Sequence, residues 1–350
     1  MKIRLLSQNP FSVWFWWIEM QAQQYINCIK KMHPEIDIWF FDWTETDIDI
    51  FHVLWLHWWV NPYWIDVLKS KWTKIVLSSV FYLKPNYFLD FRRPWIYRLC
   101  SHIPHHITNW MKLLVRNADI ILPNSTDEWN QLIQVFWANK NKIKVLHNWV
   151  LKDYYNWVSK DLFRNKFGLE KYILCCSHIE PRKNHLYLIK WFLKYKELNP
   201  GSDLKLVILG QYRWNYFSYH KKIKKLISSS KDILHIDNLK NTDELFKSAY
   251  LWCSAHYLLS SLETPWLSNI EAWLVGKKLV LWDCKPVREY FKWYADYINP
   301  HKIDQIVESI KKLDLYNDSQ EEAKFILENY TREKISENLL DIYKELWKIK

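Results

Sequence analysis

Short apolar runs rich in β-branched residues alternate with longer amphipathic runs along the first half of the chain. The order is KIRLL, IEMQAQQYINCIKKM, IDIWFF, DIFHVLWL, KIVLSSV and then ADIILPNSTDEWNQLIQVFWANKNKIKVLHNWV, which holds a strand, a Ser/Thr/Asp helix start, a helix and a further strand. Because parallel neighbouring strands need a crossover helix between them, this alternation predicts a parallel, doubly wound sheet.

The same alternation returns in the second half, in the runs KYILCCS, HLYLIKWFLKYKEL, LKLVILG, DILHIDN, DELFKSA, YLWCSA, IEAWLVG and KLVLWD. The pattern predicts an α/β protein with two Rossmann-like domains, residues 1–155 and 156–330, joined by a linker within 151–170. Residues 331–350 are predicted to form a helix that packs back toward the first domain. Two such domains facing a central cleft would bind ligands at the carboxyl ends of their strands.

Tryptophan stands at many positions where glycine is expected. The chain has 4 Gly and 24 Trp, whereas average usage of roughly 7% would give about 25 Gly. Trp16-Trp17, Trp137 and Trp149 lie at turns or helix starts, where a positive φ or a close backbone approach is needed. We hypothesise that the gene reads UGA as glycine, so that most of these tryptophans are natural glycines. The alternative is a true tryptophan platform for stacking sugars or single-stranded nucleic acid.

Charge and cysteine usage narrow the classes of partner and the cellular compartment that suit this chain. The formal net charge of +11 favours anionic partners, and six cysteines without a CxxC pair fit a reduced, cytoplasmic protein. MKIRLLSQNPF lacks the pattern of a signal peptide, and IFHVLWLHWWVNPYWI is shorter and more polar than a membrane span, so neither segment is expected. Residues 92–116, RRPWIYRLCSHIPHHITNWMKLLVR, are either a solvated basic face or a peripheral contact with the anionic inner face of the cell membrane.

Two segments of the second half carry candidate chemistry. In SHIEPRKN, residues 177–184, Arg182 and Lys183 come between a strand and a helix, where cations and a helix N-terminus form a diphosphate site; the alternative is a pair of solvated loop charges. In LETPWLSNIEA, residues 262–272, Glu263 and Glu271 can meet a sugar hydroxyl and a ribose. Trp266 stands where backbone amides should approach a ligand, which only glycine permits.

With Trp read as Gly, the segments GGIE, KVLHNGV, SHIEPRKN, LETPGLSNIEAGLVGKKLVL and PVREYF resemble family 4 glycosyltransferases of the GT-B fold. The resemblance implies a retaining transfer of a hexose, such as mannose or glucose, from a nucleotide-diphosphate sugar to a glycan or lipid-linked acceptor in surface polysaccharide biosynthesis. It implies no cofactor and no obligatory metal. It assigns Glu271 to the donor ribose, Glu263 to the transferred sugar, and Arg182 and Lys183 to the leaving diphosphate. Further donor contacts are expected at Trp16, Trp17, His178, Trp266, Leu267 and Ser268.

The chain departs from the family pattern at two places. His178 stands where many relatives have an arginine five residues before the lysine, and Ser79-Val80 stand where many relatives have a histidine. His52 or His57 is then a candidate replacement, and for His57 the alternative is an ordinary core or loop histidine. These departures leave open a non-catalytic GT-B relative that binds nucleotide or glycan.

Two other classes compete with a transferase. A nucleic-acid-binding protein would suit the basic charge and the aromatics, but the chain lacks the interleaved cations and aromatics of an RNA-recognition sheet, so no nucleic acid is expected. A sugar phosphorylase shares the architecture, and no distinct lysine loop for its pyridoxal phosphate is evident.

Overall fold

The computed structural model describes residues 1–7, 17–56, 60, 62–81, 83, 94–104, 106–261, 267–316 and 318–348. The chain divides into two compact units, one formed by Met1–Trp149 with Arg332–Lys350 and the other by Val150–Thr331. It therefore passes from the first unit to the second and returns for its last helix.

The first unit is built on a parallel sheet with the strand order β2-β1-β3-β4-β5. β3 is buried along its whole length, as expected for a strand covered by helices on both faces. The strands are β1 (Lys2–Leu6), β2 (Asp37–Phe40), β3 (Ile50–Leu54), β4 (Lys74–Ser78) and β5 (Ile120–Leu122), and the helices are α1 (Trp17–Met32), α2 (Pro62–Ser70), α3 (Pro94–Cys100), α4 (Ile107–Asn117) and α5 (Thr126–Phe136).

The second unit repeats this plan with the strand order β11-β10-β9-β6-β7-β8, again parallel. Its strands are β6 (Tyr172–Cys176), β7 (Lys205–Leu209), β8 (Ile233–Ile236), β9 (Ala255–Leu258), β10 (Lys278–Trp282) and β11 (Ala295–Ile298). Its helices are α6 (Leu162–Phe167), α7 (His185–Leu198), α8 (Phe217–Ser228), α9 (Glu244–Trp252), α10 (Leu267–Leu274), α11 (Lys285–Phe291), α12 (Ile303–Lys311) and α13 (Gln320–Asn329). The predicted pair of doubly wound parallel sheets is confirmed.

The last helix, α14 (Arg332–Lys348), belongs to the first unit. Leu339 and Tyr343 on its inner face are fully buried, and the Arg332 guanidinium donates a hydrogen bond of 2.7 Å to Gln24 of α1. The sequence encodes this docking through an amphipathic pattern, and burial of that apolar face supplies its stability.

Tryptophan occupies several backbone positions that suit glycine. Seven non-glycine residues among those described have a positive φ, and four of them are Trp55 (94°), Trp72 (66°), Trp137 (53°) and Trp157 (66°). Trp137 ends α5 in the left-handed conformation that Gly168 adopts at the end of α6. An L-residue pays about 1–2 kcal/mol for this conformation and glycine does not. Glycine would adopt these four backbone angles without that cost.

Candidate functional site

The candidate site lies at the carboxyl edge of the second unit's sheet. β6 is the first strand of that unit, with β7 on one side and β9 on the other. This is a topological switch point, where the chain order reverses and loops after neighbouring strands lead away on opposite sides. All five residues of β6 are buried, so the loop that follows is anchored on a rigid strand.

The loop after β6 is held against the loop after β9. Pro181–Lys183 form a single 3-10 turn, and Asn184 takes a left-handed conformation (φ 57°) before α7 begins. The Asn184 amide donates a 2.7 Å hydrogen bond to the Leu259 carbonyl, and the Ser261 N–H donates a 2.9 Å bond to the Arg182 carbonyl. The two segments that carry the sequence motifs therefore meet at one place.

The two predicted cations differ in their surroundings. The Arg182 guanidinium is partly exposed and pairs with the Glu180 carboxylate at 2.6 Å. Lys183 is only 1% exposed, which is rare for an ammonium group. The burial of His185 and His256, and to a smaller extent the charge of Lys183, lower the pKa of both imidazoles to about 3. Both rings are therefore neutral near pH 7. The loop is thus electropositive beneath its surface.

Glu271, the second motif glutamate, lies on α10 and is 8% exposed. Burial raises the pKa of its carboxyl to about 7, against the opposing effects of the Tyr250 and Tyr154 hydroxyls and of the Lys247 charge. The Tyr155 hydroxyl donates a 2.9 Å hydrogen bond to the Glu271 carbonyl and so links the helix to the segment entering this unit. The carboxyl is poised to accept or donate a hydrogen bond near neutral pH.

Glu271 also belongs to the edge defined by β6. Burial, with the nearby charge of Glu271, raises the pKa of the thiol of Cys176, the last residue of β6. Cys176 also packs in one hydrophobic core with Ile270 and Ala272, the chain neighbours of Glu271, so the cationic loop and Glu271 lie at the end of the same strand. Close to them, the Ser268 hydroxyl oxygen is buried and has no hydrogen-bond partner among the described residues, a situation that usually marks a ligand or water position.

The other predicted site residues are placed as follows. Leu267 is the first residue of α10, Trp17 is the first residue of α1, and His178 lies exposed in the loop after β6. Four residues lie outside those that the structure describes, namely Trp16, His57, Glu263 and Trp266.

His52 does not take the place of a reactive histidine. Its ring is fully buried in β3, with Nδ1 2.6 Å from the Tyr343 hydroxyl and Nε2 2.9 Å from the Ser78 hydroxyl. Burial lowers its pKa to about 3. The suggestion that His52 reaches a ligand is therefore wrong, because both ring nitrogens are used inside the core of the first unit.

A buried carboxylate at the carboxyl edge of the first sheet escaped the sequence analysis. Glu128 is 0% exposed; it accepts hydrogen bonds from the Phe81 N–H (2.6 Å), the Asn124 N–H (3.0 Å) and the Ser79 hydroxyl. The Ser125 side chain caps α5 by accepting from the Glu128 N–H. The Ser-x-x-Glu spacing in the sequence indicates this helix start. No pattern in the sequence indicates that the Glu128 carboxylate contacts the loop after β4.

The basic segment 92–116 presents apolar side chains as well as cations over its described part. Trp95, Leu99, Ile103 and Ile107 are 55%, 61%, 52% and 43% exposed, and Arg98 among them is also exposed. We call Trp95, Leu99, Ile103 and Ile107 the α3–α4 patch. Arg92 and Arg93 lie outside the described residues.

Each helix in the described part of the chain is too short or too polar to cross a lipid bilayer. Within the same residues, no group of three or more His, Cys, Asp or Glu side chains is arranged to hold a metal ion.

Comparison with known proteins gives a family match over half of the chain: the family described as Glycosyl transferases group 1 matches residues 159–334. A 101-residue segment is 34% identical to the N-acetylgalactosamine-N,N'-diacetylbacillosaminyl-diphospho-undecaprenol 4-alpha-N-acetylgalactosaminyltransferase of Campylobacter jejuni. That segment spans 29% of this chain and 26% of the relative.

Solved structures share the fold over nearly the whole chain. HepE of Anabaena, in complex with UDP and glucose, has a TM-score of 0.71 at 13% identity and covers 98% of this chain and 99% of its own. A glycosyltransferase from Rickettsia africae has a TM-score of 0.68 at 18% identity, covering 99% and 85%. A UDP-forming trehalose-phosphate synthase from Burkholderia xenovorans has 0.68 at 13%, covering 95% and 80%. The GT-B fold implied by the sequence resemblance is confirmed.

Proposed function

This chain belongs to the glycosyl transferases group 1 family, and on that premise we propose that it transfers a hexose, such as mannose or glucose, from a nucleotide-diphosphate sugar to a glycan or lipid-linked acceptor. The transfer retains the anomeric configuration, needs no obligatory metal and serves surface polysaccharide biosynthesis. The observation that carries the proposal is that the Arg182-Lys183 loop and the helix bearing Glu271 both lie at the carboxyl end of β6.

The chemistry of such a transfer suits these residues. As the bond from the sugar to the donor breaks, negative charge grows on the leaving nucleoside diphosphate. Cations that are already in place attract the leaving group more strongly as its negative charge grows. They therefore lower the energy of the transition state more than that of the ground state. Arg182 and Lys183 supply this charge, while the carboxyl of Glu271 holds the ribose and so fixes the register of the donor.

Glu263 is proposed to contact the transferred sugar, with the backbone near Trp266, Leu267 and Ser268 approaching the donor. Trp16 and Trp17 are proposed as further donor contacts. These roles rest on the family resemblance, and the buried Ser268 hydroxyl supports a ligand at that point.

A lipid-linked acceptor is anchored in the membrane, so a cytoplasmic enzyme that uses it has to contact the membrane surface. The Campylobacter jejuni relative is named for a diphospho-undecaprenol substrate. We propose that the α3–α4 patch of the first unit docks on anionic lipid at the inner face of the cell membrane, with apolar side chains entering the interface and Arg98 meeting headgroups.

The test is release of nucleoside diphosphate from a panel of UDP, GDP, ADP and dTDP sugars, with and without glycan and polyprenyl-diphosphate acceptors. Arg182→Gln should lower kcat about a hundredfold, the usual cost of one lost transition-state donor. Lys190→Gln, an exposed change on α7, is the matched control.

A second candidate is a non-catalytic member that binds nucleotide or glycan, favoured by the sequestration of His52 and of Ser79 in the first unit. Nucleotide binding without turnover of any donor, with both variants indistinguishable from the parent chain, would establish this candidate in place of the transferase.

A further inference from the structure

We infer that Arg213 and His178 form a phosphate-binding pair beside the Arg182-Lys183 loop, and that Arg213 is a ligand-binding residue of this enzyme. The inference rests on the proposed function. The ligand chemistry is a phosphate oxyanion, carried either by the diphosphate of the donor or by a phosphate-bearing acceptor.

The backbone brings the loop after β7 directly against the loop after β6. Gly210 has φ 149°, and a Cβ atom added there would lie 2.0 Å from the Ser177 carbonyl oxygen. Only glycine permits so close a crossing. This close crossing places the residues that follow Gly210 alongside the loop that holds Arg182 and Lys183.

Hydrogen bonds then hold the two loops in register. The Ile179 N–H donates to the Gln211 carbonyl at 2.8 Å, and the Arg213 N–H donates back to the Ile179 carbonyl at 3.3 Å. Ile179 itself is completely buried. Arg213 is therefore fixed next to His178 by main-chain geometry, although the two residues are 35 positions apart in the sequence.

One nitrogen of the Arg213 guanidinium lacks a partner in the protein. Its Nε atom is buried and has no hydrogen-bond partner among the described residues, while the side chain as a whole is half-buried. A buried guanidinium N–H without an acceptor costs free energy, and such groups in native proteins usually receive a ligand or water. The carboxylate of Glu180, which lies in the loop after β6, is paired with Arg182 at 2.6 Å.

The electrostatics of His178 report the same excess of positive charge. Partial desolvation of its imidazole, which keeps an exposed surface, lowers the pKa of His178 most; the charge of Arg213 lowers it next, and Lys183 has a smaller effect in the same direction. The Glu180 charge and the Gln211 backbone act in the opposite direction without reversing the result. A bound dianion would supply the missing negative charge and restore the protonated imidazole, giving two cationic donors on one phosphate.

The first experiment measures binding of UDP, GDP, ADP, CDP and inorganic pyrophosphate by calorimetry to the full chain. Arg213→Gln should raise the Kd for the best diphosphate by about tenfold or more, as expected for loss of one charge-assisted contact. Arg213→Lys should fall between. Lys221→Gln, an exposed change on α8, is the control and should leave the Kd unchanged.

A second readout tests the pairing in the ligand-free chain, where a general loss of folding would be apparent. NMR titration of the His178 ring should show a higher pKa in Arg213→Gln than in the parent chain, and His178→Gln should abolish the uptake of a proton on diphosphate binding. An unchanged His178 titration in Arg213→Gln would contradict the pairing.

The outcomes separate this inference from the proposed function. A raised KM for the donor alone assigns Arg213 to the donor diphosphate, and a raised KM for the acceptor alone assigns it to an acceptor phosphate. Arg213-dependent pyrophosphate binding without sugar transfer would retain the pair and reject the transferase. If the chain transfers sugar while Arg213→Gln leaves both KM values and every Kd unchanged, or if the parent chain binds no phosphate compound, the inference is wrong.

Discussion

Replacing Trp157 with glycine is expected to stabilise the protein. The side chain of Trp157 is 97% exposed and makes no hydrogen bond, ion pair or ring contact with any described residue, so its removal loses no packing. Its φ of 66° costs an L-residue about 1–2 kcal/mol. Glycine avoids this cost but loses about 0.5–1 kcal/mol more backbone entropy on folding. The balance is a gain of between about 0 and 1.5 kcal/mol, with a central value of about 0.75 kcal/mol.

The assay is urea unfolding of the parent chain and of Trp157→Gly, followed by far-UV circular dichroism, with thermal unfolding as a check. The midpoint should rise without a change in slope, and the transition of a unit of this size should move upward by about 1–4 °C. Trp157→Ala is the matched control: it removes the indole but keeps the Cβ atom that causes the strain, so it should gain little.

Two results would refute the reasoning. Equal gains from alanine and glycine would show that the exposed indole, not the backbone angle, is the source of the cost. A loss of stability in Trp157→Gly would show that the angle carries no strain. If the reasoning holds, Trp72, with φ 66° and 77% exposure, should respond in the same way, and peptide mass spectrometry of the protein from its own source should find glycine at both positions.

Three further predictions concern other groups. Burial raises the pKa of Glu271 in the folded chain from 4.5 to about 7, so the stability that the protonated carboxyl contributes is present below pH 4.5 and is lost as the pH rises through 7. Glu271→Gln should remove this loss, which is on the order of 3 kcal/mol, from the free energy of unfolding measured between pH 4 and pH 8. An unchanged pH profile would contradict the burial argument. Glu128→Ala should destabilise the first unit by about 3 kcal/mol or more in urea unfolding, because it leaves buried hydrogen-bond donors unpaired. Glu337→Ala, on an exposed face of α14, is the control and should have little effect. Equal effects of the two variants would show that these hydrogen bonds are unimportant. Trp95→Ser with Leu99→Ser should reduce sedimentation with vesicles of anionic lipid by severalfold but leave neutral vesicles unaffected, and unaltered sedimentation would reject docking by the α3–α4 patch.

Much of the second unit could be predicted from the sequence. The alternation of β-branched strands with amphipathic helices depends on local periodicity, and parallel strands then follow from the crossover helices. The motif loop at Arg182 and Lys183 was recognisable because its strand and helix are adjacent in the chain. The same reasoning placed Glu271 on a helix, and both features are present in the structure.

The sequence alone established a periodic α/β chain with a cationic loop, a motif glutamate and tryptophans at positions that suit glycine. Only the tertiary structure showed that His52 is enclosed by Tyr343 from the final helix, and that Arg213 comes to lie beside the motif loop. The reason is physical: periodicity reports which face of an element is buried, but contacts between distant segments depend on strand order, register and close crossings such as that at Gly210. Burial, which sets the pKa of Glu271 and of His52, arises only from those contacts.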